Sequence, residues 1–288
     1  MTLMSTSTSS PTSFSINPLV DLQQIFQFAF MQHAFEAGTI VAIVAGIVGY
    51  FVVLRRSSFA AHALSHIGFS GAAAAVLIGV SPVYGLLLFT SAGGLGIAAL
   101  GRRAAQRDVQ IGTVLAFMLG LGVLFISLYK GYAQEAYSIL FGEILGISFS
   151  DVLLTLVAGV IILILISVVY RPLLFASLDE DVAEAKGMPV LFLGVIFMLL
   201  VAVATSFAVQ VVGVLLIFSL MVTPAATAQL LAKRPRQVII ISVAIALIAT
   251  WLGLFIAFYE PYPVSFFITS SVFVFYLFVR FIYRRIRP

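Results

Sequence analysis

Residues 37–56 read Ala37-Gly38-Thr39-Ile40-Val41-Ala42-Ile43-Val44-Ala45-Gly46-Ile47-Val48-Gly49-Tyr50-Phe51-Val52-Val53-Leu54-Arg55-Arg56. The run carries no charge until it meets two adjacent arginines. An apolar stretch of this kind is what a helix needs to cross a hydrocarbon core about 30 Å thick. A basic pair at its end marks the side that faces the cytoplasm. The rest of the chain repeats the pattern: of 288 residues 62% are apolar and only 9% charged, whereas soluble domains carry about 25% charged residues. Too few charges remain to coat a water-facing surface. The fold class is therefore all-α, a polytopic transmembrane helix bundle.

Apolar stretches of spanning length run over 36–54, 59–80, 83–101, 111–129, 151–170, 188–209, 211–231, 238–258 and 265–283. Nine spans follow. Eight stays open, because 59–80 is rich in Gly and Ala and 136–150 also reads as a short re-entrant or interfacial helix. If the first span runs from outside to inside, every Lys and Arg except Lys130 falls on the inner side, as the positive-inside rule demands. The C-terminus is then cytoplasmic. The formal excess of four positive charges reports this topology and not a nucleic-acid partner. Met1 to Asn17 form a Ser/Thr-rich tract expected to be disordered, which leaves 18–288 as one membrane domain. With Arg55 as the first basic residue, no cleavable signal is expected at the start. Leu19 to Phe35 mixes glutamines with aromatics and suits the membrane interface or an extension of the first helix.

Small residues crowd several spans, among them Gly46, Gly49, Gly68, Gly71 and Ala72 to Ala75, so close helix contacts are expected. Pro224 lies inside the seventh span and frees a carbonyl there. There is no cysteine, hence no disulfide and no thiolate metal site. None of the three lysines belongs to a P-loop, and neither H-E-x-x-H nor G-x-S-x-G occurs. The chain itself reads as no ATPase and no common hydrolase.

His62-Ala63-Leu64-Ser65-His66 places two imidazoles on one helix face, one turn apart. Counting about 1.5 Å per residue from Arg56 puts His66 about 15 Å deep, near mid-membrane. Ionisable groups at that depth usually face a bundle interior or an aqueous path. The pair has metal-ligand spacing, although imidazoles bonded to neighbouring helices would produce the same pattern. His33, alone near the interface, reads as structural. All eleven acids lie near span ends or in loops, so no mid-membrane carboxylate offers a proton relay.

Four of those acids cluster in Ser177-Leu178-Asp179-Glu180-Asp181-Val182-Ala183-Glu184-Ala185-Lys186-Gly187, against the basic trend of the inner side. Asp179 to Asp181 suit the first turn of a helix and Gly187 its C-terminal cap, which predicts a short helix of about two turns. It reads as a docking element for a soluble partner or as a solvated loop helix.

These residues resemble the permease subunits of metal-ion (zinc, manganese, iron) ATP-binding-cassette importers. The resemblance rests on Phe30-Met31-Gln32-His33-Ala34-Phe35, Gly49 to Arg56, Ala63-Leu64-Ser65-His66, Ile139-Leu140-Phe141-Gly142-Glu143-Ile144-Leu145-Gly146, and Val211 to Leu216 leading to Pro224-Ala225-Ala226-Thr227-Ala228. It implies that His66 contacts the metal in the translocation path. The partner position is usually aspartate in that family and is His62 here, which by ligand preference favours zinc, with manganese or iron as alternatives. It implies that Leu178, Asp179, Glu180, Asp181, Ala183, Glu184 and Gly187 belong to the coupling helix that seats in the ATPase. It further implies a bacterial inner-membrane protein that pairs with a second copy of itself, two cytoplasmic ATPase subunits and an extracytoplasmic metal-binding protein. The metal is cargo, and no cofactor is held permanently. A stand-alone secondary carrier or channel for metal ions is the rival reading.

Overall fold

The computed structural model describes residues 24–99, 104–129, 142, 144–260 and 262–286. Ten helices of six or more residues are seen there: α1 (Ala29–Leu54), α2 (Ser58–Leu77), α3 (Pro82–Ala99), α4 (Ala104–Leu128), α5 (Phe149–Leu178), α6 (Glu180–Ala185), α7 (Val190–Val212), α8 (Val214–Leu231), α9 (Pro235–Tyr259) and α10 (Val264–Ile286). All but α6 are long and apolar enough to cross a membrane, which settles the count at nine among the described residues. The Ser/Thr-rich tract, Arg102, Arg103, Lys130, and residues 136–141 and Glu143 of the 136–150 segment lie outside the described residues.

The arrangement follows from where glycine lets backbones meet. α1 packs on α5, α7, α8 and α9, while α2 packs on α3, α4, α7 and α8. A Cβ at Gly49 would collide with the Met221 carbonyl of α8, and one at Gly46 would stand 2.8 Å from the Val243 Cα of α9. The Gly46 carbonyl is free to accept a 3.0 Å hydrogen bond from Ser242 Oγ of α9. In a bilayer, where apolar surfaces gain little by leaving lipid, such contacts and hydrogen bonds hold helices together. α4 and α10 are the least enclosed, with only 11% and 17% of their spanning stretches buried. Their apolar side chains therefore face outward, as a lipid solvent permits.

Among the boundaries that differ from the sequence reading, three bear on the site. α1 begins at Ala29, so the latter part of the Leu19 to Phe35 segment extends the first helix. The sixth and seventh spans meet at Gly213, joined by that one residue at φ 83° and ψ 164°, which brings Gln210 inside α7. The fifth span does not stop at Arg171-Pro172 but runs 30 residues to Leu178, with Pro172 inside it. Proline removes only its own donor, and the helix resumes on the far side. Leu178 is thus the last residue of α5, not part of the short acidic helix, and α6 is six residues long.

Candidate functional site

A tight turn leads from α1 into α2. Arg56 takes a left-handed φ of 52°, and the Arg56 and Ser57 amides donate back to the Val53 and Val52 carbonyls at 3.1 and 2.9 Å. His62 and His66 follow on α2, which is among the most enclosed spans. Their ring centroids are 4.6 Å apart with planes at 82°, and the His62 ring stands 4.7 Å from Phe218 of α8. Both rings are partly buried, and in each the Nδ1 atom is buried with no hydrogen-bond partner.

The nearby hydroxyls are committed to the backbone. Ser65 Oγ donates to the His62 carbonyl at 2.7 Å, and Ser70 Oγ donates to the Met118 carbonyl of α4. Neither orients an imidazole. Two ring nitrogens thus lie one turn apart inside a bundle without the hydrogen bonds that satisfy a purely structural histidine. Neutral imidazole nitrogens of this kind can contact a cation. Among the described residues no group of three or more His, Cys, Asp or Glu could enclose one.

Two polar contacts escaped the sequence reading. Thr90 of α3 and Ser206 of α7 share a buried 2.6 Å hydrogen bond, close to Gly68, where an added Cβ would lie 2.9 Å from Thr90 Cγ2. Nearer the other end, Gln210 Nε2 donates to Asp151 Oδ1 at 3.2 Å, and Asp151 forms a capping box with Ser148 at the start of α5. Gln210 sits just past the expected span end at 209, three residues before α7 actually ends at Val212. His33, in contrast, has a partner: its Nδ1 is 3.2 Å from the Ile147 carbonyl, to which it donates in the matching tautomer.

The acidic segment forms the expected helix. Asp179 caps it by accepting from the Val182 amide at 3.0 Å, and Gly187 takes φ 77° just past its end. Ala183 is fully buried against Ala176, Val190 and Leu193, which fixes α6 to α5 and α7. Arg55 reaches it from α1, with Nη2 3.4 Å from Glu180 Oε1. Beside this contact lies a cavity of about 490 Å³ bordered by Leu54, Ser57, Ile97, Ser177, Val190 and Gly194. The C-terminal ends of α1, α3 and α5 and the N-terminal ends of α2 and α7 therefore share one side of the bundle.

The model of the ABC 3 transport family matches residues 27–283. The chain belongs to this family. The resemblance drawn from the motifs holds: it is a multi-pass membrane permease of the metal-ion ATP-binding-cassette importer kind. Within the ABC 3 family it is 32% identical over 238 residues to the manganese transport system membrane protein MntC of Listeria monocytogenes, covering 82% of this chain and 85% of that one. It is 34% identical to the manganese import system permease protein ScaB of Streptococcus gordonii, with the same coverage. The solved PsaBC of Streptococcus pneumoniae superposes with a TM-score of 0.82 at 32% identity, covering 91% of this chain and 95% of that chain. A second solved chain, from an ABC transporter in an inward-facing conformation, gives 0.70 at 17% identity, a likeness of fold.

Proposed function

We propose that this chain is the membrane-spanning half of a manganese importer, with His62 and His66 contacting the ion on its way through. The observation that carries the reading is the pair of imidazoles on enclosed α2, their Nδ1 atoms buried and unpaired, in a chain whose relatives are named manganese permeases. The sequence alone put zinc first, because two imidazoles outweighed everything else on one helix. The relatives' names shift the reading to manganese. The ligand argument counted two side chains and no water, and water or carbonyl oxygens completing the shell suit a harder ion. An incomplete protein ligand set also suits cargo, which must leave as readily as it enters.

In this reading α6, with Asp179, Glu180, Asp181, Ala183, Glu184 and Gly187 around it, seats in a separate cytoplasmic ATPase, two copies of which drive two copies of this chain. An extracytoplasmic binding protein delivers the ion to the opposite face. The protein sits in a bacterial inner membrane with its C-terminus in the cytoplasm, as the basic residues require. ATP-driven closure of the ATPases shifts α6 and rocks the bundle between outward and inward access.

The test is uptake of labelled manganese, zinc and iron by cells lacking and then regaining the chain. His66→Ala is expected to reduce manganese uptake at limiting metal at least tenfold while the ATPase still co-purifies. Unchanged uptake removes His66 from the path. Manganese movement into liposomes holding this chain alone, without nucleotide, would establish the secondary carrier instead.

A further inference from the structure

Arg55 ends α1 and grips three other elements. Its Nη2 is 3.4 Å from Glu180 Oε1 on α6, and its Nη1 donates to Ser177 Oγ in the last turn of α5 at 3.2 Å. Its guanidinium carbon stands 5.3 Å from the centre of the Phe197 ring of α7. The side chain is only 10% exposed. A planar fork can bond a hydroxyl and a carboxylate while stacking on a ring, which an ammonium cannot do. As a mark of topology, an arginine at this place would need none of these contacts.

We propose that Arg55 is the strut that carries movement of α6 to the helix bearing His62 and His66. This rests on the reading of α6 as the ATPase seat. The backbone of α6 packs on α5 and α7, neither of which carries an imidazole. α5 and α7 pack on α1 in turn, and α7 on α2; the Arg55 side chain adds a direct polar link from α6 to the end of α1. From Arg55 the chain reaches His62 in seven residues, through a turn whose amides are bonded back to Val52 and Val53. That turn has little slack. Ser177 Oγ is itself held, donating to the Leu173 carbonyl at 2.5 Å, so one of the fork's two polar partners is braced. The cavity beside it gives the assembly room to shift against α3 and α7. Arg55 is a positioning residue: it touches no ion and acts through α1 and α2.

The test uses the full importer, this chain with its ATPase in proteoliposomes, and reads ions moved per ATP hydrolysed. Arg55→Met is expected to assemble with the ATPase and hydrolyse ATP at near the normal rate, while moving about tenfold fewer ions per ATP. Should that variant not accumulate, Arg55→Lys, which keeps the charge and loses the fork, is expected to lose at least threefold. Normal coupling in the variant that accumulates overturns the proposal. Because the native chain has no cysteine, Arg55→Cys with Glu180→Cys can be tethered cleanly by a bifunctional thiol reagent. The untethered pair is expected to be uncoupled and the tethered pair to recover severalfold. A tether that abolishes the remaining transport overturns a strut that moves as one piece. Seating is read separately: if the ATPase stays bound when Asp181 and Glu184 are both changed to Lys, the α6 reading fails and the strut falls with it.

Discussion

Gly71 of α2 and Gly85 of α3 press together so closely that a Cβ on either would strike the other's carbonyl oxygen. The contact lies one to two turns beyond His66 and holds α2 against α3 along the depth where the imidazoles sit. Gly71→Ala is expected to destabilise the protein by about 1–3 kcal/mol through overpacking, read as a lower unfolding temperature in detergent. Gly120 of α4, with open space around its would-be Cβ, is the control. Gly120→Ala is expected to leave stability unchanged or raise it by up to about 1 kcal/mol.

Gly213 makes the whole connection between α7 and α8, at φ 83° and ψ 164°. That region is essentially reserved for glycine. Gly213→Ala is expected to cost about 1–3 kcal/mol. Gly142, whose own Cβ would approach the Val212 carbonyl carbon to 2.5 Å, packs on the same turn, so the Gly213 variant also disturbs that packing. Limited proteolysis of the variant against the parent checks this, with faster cleavage near residue 142 expected.

His62 tests the metal preference of the proposed path. Exchanging one imidazole for a carboxylate moves a mixed ligand set toward harder ions. His62→Asp is expected to raise the uptake ratio of manganese over zinc severalfold, measured by competition between the labelled ions. A ratio that does not move would place His62 outside the ion's path.

Ala183 is the apolar peg of α6, fully buried against Ala176, Val190 and Leu193. Ala183→Asp would bury a charge without a partner, which is costly enough to undock the short helix. The nine spanning helices do not depend on that contact. The variant is expected to accumulate in the membrane but to lose co-purification with the ATPase.

Much of this was legible in the residues. The apolar runs mark nine stretches of spanning length, with eight the open alternative, and nine helices of that length stand there among the described residues, because burial in lipid demands length. Asp179 and Gly187 marked the ends of α6, since capping is local chemistry. The ends at 170 and 209 fall short for one reason: the apolar runs stop at Arg171-Pro172 and at Gln210, but the helices continue, with Pro172 inside α5 and Gln210 bonded to Asp151. The Thr90–Ser206 bond joins residues 116 apart, so nothing local announces it. For Arg55 the sequence offers a charge at a span end, which explains itself until its fork is seen to be occupied.

α5 contains 30 residues, about 45 Å of helix, against a hydrocarbon core of about 30 Å. Its turns after Arg171 reach about 10 Å beyond that basic edge, and they carry α6 at their tip. Under the proposed seating of an ATPase on α6, a motor subunit gripping the tip would stand clear of the headgroups, on a stalk belonging to the permease. Its hold is then a contact between two proteins, indifferent to whether the surrounding leaflet is zwitterionic or anionic.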